Sequence, residues 1–442
     1  RFDGAYIAAG NLDDFWVANP ASFRDVGVVT GVITLISGVN SDFFRSSAAA
    51  QLINQIVLTG AWDASSAAST TDINLISAVE FRNTTATGVA SELIPSTISA
   101  TNNIGAIRTL NNAGTMADLS VSAGGTITGE VSARNIERSN FAVNNQINSI
   151  LTTNDFRGVS IVTGELVDLR VQGDIRSSSI SVAGPVRRIN VTNEITLLNL
   201  ISSGPFGRID SIVAGGQITG SFVSSGPIGT FQSTRSDIIG TISTTDTTDG
   251  DLTLLKAGRD LRVTLSVFGS AQNIEAGRHI GAKNEPRTFD IRGNLANVMV
   301  PSGQIYADIL VGQSITGMIT NGRVEMRRGL DQVASGDIIA FGSINQINLK
   351  GDFNGDIISY SGGIKSLIIT DGSFRPGNRI AAYDGNLDLI RIKGGDLLGN
   401  IYTDGDLKNL ELVNGDDGFK GNIGIASFKR NNIRFKTDIR NE

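Results

Sequence analysis

A recurring pair of segments constrains this chain more than any other feature. Between residues 342 and 427 two kinds of unit alternate. The first kind reads GSINQINLK (342–350), GGIKSLIIT (362–370), GNLDLIRIK (385–393) and GDLKNLELV (405–413). The second kind reads GDFNGDIIS (351–359), GSFRPGNRIA (372–381), GDLLGNIYT (395–403) and DGFKGNIGI (417–425). Each kind returns at intervals of about 20–23 residues. Apolar residues keep the interval, placing Ile347, Leu367, Ile390 and Leu410 in one column and Phe353, Phe374, Leu397 and Phe419 in another.

The same pattern extends towards the N-terminus. GELVDLRVQ (164–172), GPVRRINVT (184–192) and GPFGRIDSI (204–212) match the first kind. A core of apolar residue, any residue, Gly, any residue, apolar residue marks the second kind. It recurs at Ile127/Gly129/Val131, Ile218/Gly220/Phe222, Ile238/Gly240/Ile242 and Ile315/Gly317/Ile319. One match would be noise, but many matches in register with a second motif predict a repeat array.

The spacing selects strands. Ile189 and Val191 alternate with polar neighbours, the period of a half-buried strand. No repeat holds a 3.6-residue pattern long enough for a helix, which disfavours leucine-rich-repeat, ankyrin and HEAT arrays. Val186 lies three residues before Ile189, so a bend between them is needed to turn both inward. Chain-wide, Gly numbers 52, and its recurrent placement suits such corners. A period near 21 residues is one coil of a parallel β-helix, each strand pairing with its equivalent about 4.8 Å along the axis. A left-handed hexapeptide helix needs about 18 residues per coil in units of six. The expectation is therefore an all-β, right-handed parallel β-helix over 124–427, with roughly 14 coils.

Two regions flank it. Residues 1–123 repeat less clearly and read as an N-terminal cap or assembly region. Within them, 41–56 suggests a short helix with Ser41 or Asp42 near its N-cap and Phe43, Phe44, Leu52, Ile53 and Ile56 on one face. Residues 428–442 carry Lys429, Arg430, Arg434, Lys436 and Arg440 and read as a final strand, cap or linker. The chain opens at Arg1 with neither Met nor a signal-like segment, as a processed or truncated product does.

Composition removes several chemistries. With Cys at 0 there is no disulfide framework, thiol nucleophile or cysteine metal site. The lone histidine, His279, cannot supply a multi-His metal site and leaves one candidate for a His-based triad. A net charge of -6 argues against nucleic acid as a partner. No apolar run approaches the length of a membrane-spanning helix. Asp246, Asp249 and Asp251 form an oxygen-rich stretch that is a candidate calcium site, against the simpler alternative of a solvated polar loop. Asp352 and Asp396, which stacking would bring into nearby columns, are the carboxylates weighed for glycoside cleavage; Asp after Gly is also ordinary turn chemistry. Only two Trp are present, both before the clear repeats, and no cluster of exposed Trp and Tyr for sugar stacking is evident. Asn83 and Asn190 begin N-glycosylation sequons.

The Gly-x-Ile-x-x-Ile-x-Val and Gly-Asp-Leu-x-Gly-x-Ile units resemble those of large secreted bacterial repeat proteins with pectin-lyase-like β-helix architecture, over about two thirds of the chain. That group includes surface-layer and fibre proteins, adhesins and polysaccharide lyases. The resemblance implies an extracellular or cell-surface location. It supplies no catalytic motif, so no active-site residue is carried over. The residues thus point to a non-enzymatic structural protein that pairs with copies of itself into a filament, sheath or surface layer. The competing expectation is an adhesin, or a β-helix that binds or cleaves cell-surface polysaccharide, with 244–300 as the place for its groove. No resident cofactor is expected, calcium excepted.

Overall fold

The computed structural model describes residues 2–3, 6–17, 23–83, 96–246, 249–322, 333–413, 420–425 and 432–436. The chain is an all-β parallel β-solenoid of about 19 coils, with about 20 residues per coil. It divides into two compact units, one comprising 1–215 with 219–222 and the other 216–218 with 223–442.

In the first unit one column of parallel register runs Phe2, Phe23, Phe43, Trp62, Phe81, Met116, Ile136, Phe156, Ile175 and Ile195, each paired with the next. From Phe23 onward these side chains are fully buried. Adjacent rings touch along it: Phe23 and Phe43 at 5.5 Å, Phe43 and Trp62 at 4.8 Å, Trp62 and Phe81 at 6.3 Å between centroids. Removing such a side chain from water contributes about 1.5–3 kcal/mol.

Ladder pairing therefore begins well before residue 124. The helix expected over 41–56 is instead two strands, Phe43–Phe44 and Ser47–Leu58. Val28 pairs with Ala48 and Ile33 with Ile53 in the preceding coil. The misleading signal has a physical origin. Ala48 and Ala50 alternate inward, then the inward positions step by three to Ile53 and again to Ile56. A coil bend produces that three-residue step, and it imitates one turn of helix. Phe44 and Leu52, assigned to the same helical face, are half-buried positions outside the core. The N-terminal region keeps irregular features. Ser65 and Ser96 interact across an interval of 31 residues, and a one-turn 3-10 helix spans Leu110–Asn112.

In the second unit one inward column runs Phe231, Leu255, Ile274, Val298, Ile319, Ile347, Leu367, Ile390 and Leu410. It contains all four members expected from the repeats. Phe353, Phe374 and Leu397 also stack, bridge to bridge, with the two rings 6.0 Å apart. Phe419 lies outside the described residues. At the C-terminal end Asn432–Lys436 is a strand paired with Asn409–Val413. Lys429, Arg430 and Arg440 lie outside the described residues.

The bend anticipated between Val186 and Ile189 is present, and both side chains are fully buried. The Gly-centred motif resolves into two different devices. At Ile127/Gly129/Val131 it is a bulge inside a strand, since Ile104 pairs with Ile127 but Ile107 pairs with Val131. A Cβ on Gly129 would lie 2.3 Å from the Gly105 carbonyl oxygen, so no side chain fits the extra residue. At Leu397/Gly399/Ile401 the Gly is a corner ahead of Asn400–Thr403. There a Cβ would lie 2.4 Å from the Phe374 ring, so the corner closes directly on the aromatic column.

Candidate functional site

The polar residues of the corners come first, because they include the carboxylates that chemistry would need. At each corner a backbone N–H leaves the strand ladder and needs an acceptor. Asp, Asn and Ser provide it from one coil to the next. In the first unit the Asp155 N–H donates to Asn135 Oδ1 (3.1 Å), Asp174 N–H to Asp155 Oδ1 (3.1 Å) and Glu194 N–H to Asp174 Oδ1 (3.0 Å). In the second unit Ser270 N–H donates to Asp251 Oδ1 (2.6 Å), Asn294 N–H to Ser270 Oγ (3.1 Å) and Ser314 N–H to Asn294 Oδ1 (3.0 Å). Repeating Asp in successive coils brings like charges close, and arginines offset this. Arg176 pairs with Asp174 at 2.5 Å and Arg379 with Asp356 at 2.8 Å.

Asp352 and Asp396 belong to this system. Asp352 Oδ1 accepts the Ser373 N–H at 2.7 Å, and Ser373 Oγ accepts the Asp396 N–H at 2.9 Å. The two carboxylates therefore share a column, two coils apart, with Ser373 between them. Asp352 also holds Arg375 in an ion pair. Its oxygens are thus engaged in holding the backbone and a guanidinium.

The three residues of the calcium candidate sit in different settings. Asp251 is occupied with Ser270, Asp249 is exposed in a turn, and Asp246 precedes residues 247–248, which lie outside the described set. Among the described residues no three His, Cys, Asp or Glu side chains gather as a group that could hold a metal ion.

A buried titratable cluster lies in the stretch expected to be irregular. Asp260 is almost fully buried and receives Arg278 through two hydrogen bonds (2.8 and 2.6 Å) and Arg262 through one (2.9 Å). Burial alone would push this carboxyl up, but the hydrogen bonds from Arg278 and Arg262 outweigh it and hold it at about 2. Next to it, His279 Nδ1 accepts the Gln304 N–H at 3.1 Å, so the lone histidine stands where other coils use Asp or Asn. Burial pushes its imidazole below the ordinary histidine range. Its ring lies 5.9 Å from that of Tyr306, whose hydroxyl burial pushes up. Behind them Asn321 donates to Gln304 Oε1 (2.5 Å), and its own Oδ1 accepts the Lys350 N–H (2.6 Å). At neutral pH this cluster holds a locked carboxylate and a neutral imidazole whose Nδ1 is already an acceptor. That arrangement ties successive coils together.

The outer surface overturns one expectation. Four aromatic residues form an exposed stack: Phe341 and Tyr360 are 5.3 Å apart, Tyr360 and Tyr383 5.5 Å, Tyr383 and Tyr402 5.3 Å. Tyr402 donates its hydroxyl to Asp404, which raises its pKa. Arg379 reaches the Tyr383 hydroxyl at 3.3 Å. The signal was in the sequence, since these residues recur at about the coil interval. The cluster is built by stacking successive coils, so no local run of aromatics marks it. Of the sequons, Asn190 is exposed, and Thr84 and Thr85 lie outside the described residues. No described helix is long and apolar enough to cross a membrane.

Searches against protein-family models, curated proteins and solved structures give no match for this chain. What defines the protein is thus the class set by its own strand registers, a parallel β-solenoid.

Proposed function

We propose that this chain is an extracellular structural protein that associates with copies of itself into a filament, sheath or surface layer, as the surface-layer and fibre proteins its repeats resemble do. One observation supports the reading: turn carboxylates of the kind a polysaccharide-cleaving solenoid would use, those of Asp155, Asp174, Asp251 and Asp352, accept a backbone N–H of the next coil. Association would use backbone pairing at coil edges and contact along the flat Ser-, Thr- and Asn-rich outer faces. Negative-stain imaging of purified protein, with and without EDTA, beside an assay for polysaccharide depolymerisation, tests it. Ordered polymers that survive EDTA and cleave no glycan support the reading. Persistent monomers that depolymerise an acidic glycan reject it.

The exposed Phe341–Tyr402 stack favours a second reading, an adhesin or cell-surface polysaccharide binder, because exposed rings offer apolar surface to sugars. Co-sedimentation with insoluble polysaccharide, lost in Tyr402→Ala, would favour it over assembly.

A further inference from the structure

The outer aromatic column has a missing rung. Phe268, Arg292, Gly312, Phe341, Tyr360 and Tyr383 occupy one corner position in successive coils. Their registers follow from their backbone bonds: Arg292 N–H donates to the Val267 carbonyl, Gly312 to Ile291, Phe341 to Val311, Tyr360 to Ala340 and Tyr383 to Ser359, all at 2.7–3.0 Å. Every position but one carries a flat group. The Arg292 guanidinium lies over the Phe268 ring, 3.5 Å from its centroid. Phe341 stacks on Tyr360 and Tyr360 on Tyr383. At Gly312 there is no side chain, and none can be added, since a Cβ would lie 2.3 Å from the Arg292 carbonyl oxygen.

The gap is a real space. A groove of about 320 Å³ opens there, walled by Arg292 and Phe341 and floored by Gly312, Leu310 and Ile339, with Asp290 at its edge. That size is at the small end of ligand pockets, enough for one or two fused rings. Two coils separate the walls, about 9–10 Å at the usual strand spacing. One flat group placed midway lies about 5 Å from each wall, within the range of stacked ring centroids. Among the described residues no carboxylate pairs with Arg292. Its positive charge therefore favours a ring with an electron-rich face. Phe341 is 61% exposed, with one face on Tyr360 and the other towards the gap.

We infer that the Gly312 gap is a binding slot for a small aromatic molecule of one or two fused rings, uncharged or anionic, held between the Arg292 guanidinium and the Phe341 ring. The mostly aliphatic lining and the two flat walls match an aromatic ring, whereas a sugar would need hydrogen-bonding groups that Leu310, Gly312 and Ile339 side chains lack. This site is independent of the assembly reading, which stands or falls separately.

Ligand-observed NMR titration of the full chain tests it, with indole as probe, cyclohexanol as a saturated ring and methyl glucoside as a sugar. Indole is expected to bind in the millimolar range and cyclohexanol at least several-fold more weakly. Phe341→Ala is expected to weaken indole about tenfold, the loss of one stacked face. Arg292→Ala, at an exposed position, is expected to weaken it about three- to fivefold while the chain stays folded by circular dichroism. The second variant keeps the test valid if Phe341→Ala disturbs the neighbouring Tyr stack. Equal binding of cyclohexanol, binding of glucoside alone, no indole binding, or indole binding indifferent to Arg292→Ala would each overturn the slot.

Discussion

Aromatic columns occur on both sides of the solenoid wall: inside in the first unit, and both inside, at Phe353 and Phe374, and outside in the second. In the first unit Phe23, Phe43, Trp62 and Phe81 stack inside and have no exposed surface. In the second unit Phe341, Tyr360 and Tyr402 stack outside with 61%, 41% and 37% of their surface in water, and Tyr383 joins them half-buried. The ring spacings are similar, 4.8–6.3 Å inside and 5.3–5.5 Å outside. The repeat thus makes columns regardless of their use, and the parity of a position relative to the bends decides whether a column is core or display. Inside, stacking adds to a large burial term. Outside, the ring contact itself is most of the gain, and the remaining surface is available to a partner.

Substitution should separate the two columns by size of effect. Trp62→Ala is expected to cost about 3–5 kcal/mol, because the cavity it leaves lies between Phe43 and Phe81 and cannot refill with water favourably. Urea denaturation followed by circular dichroism reads this. A loss below about 1 kcal/mol would mean that the inner column is not the support of its unit.

Charge obeys the same distinction. Asp260 is 2% exposed at its side chain, whereas its arginine partners Arg278 and Arg262 are 45% and 36% exposed. Its folded pKa of about 2 lies below the unfolded value of about 3.9, so the unfolded chain binds more protons between these values. The stabilisation is present above about pH 4 and is lost as pH falls through about 2. With the exposed arginines screened by water, it is about 1–2 kcal/mol. Asp260→Asn should flatten the fall in stability between pH 4 and 2. An unchanged acid-unfolding profile would show that Asp260 does not couple to folding.

The corner caps come next. Asp356→Ala removes the acceptor for the Arg379 N–H and is expected to cost about 1 kcal/mol, while Asp356→Asn keeps an acceptor and costs less. Thermal melts of the two variants rank them. If both lose equally, the Arg379 ion pair rather than the cap carries the effect. The smallest change is expected outside, where Tyr383→Ala removes two ring contacts and costs about 0.5–1.5 kcal/mol. A loss approaching that of Trp62→Ala would erase the difference between core and display.

Much of this was legible from intervals alone. Ile347, Leu367, Ile390 and Leu410 fall in one column because apolar residues return at the coil period, and the pairing agrees residue by residue. The helix expected over 41–56 failed because a three-residue step is shared by a helix turn and a coil bend. The Gly-Asp dipeptides were readable as turns, but their bonding to the next coil was not, since it depends on which corner N–H lies above which oxygen. The outer aromatic stack escaped for a related reason. Tyr360 and Tyr383 follow Ser359 and Ala382, which pair and face inward, so whether the next residue faces water depends on where the corner falls. The gap at Gly312 could not be read at all without knowing that its neighbours in the column are Arg292 and Phe341.

Sedimentation velocity of the purified chain over a wide concentration range, with no glycan present, tests the assembly reading most directly. The expected result is a weight-average mass that rises with concentration above the 46.5 kDa of one chain, towards large ordered species. A single 46.5 kDa species at every concentration, moving to higher mass only when polysaccharide is added, would contradict it and assign the outer aromatic column to glycan binding.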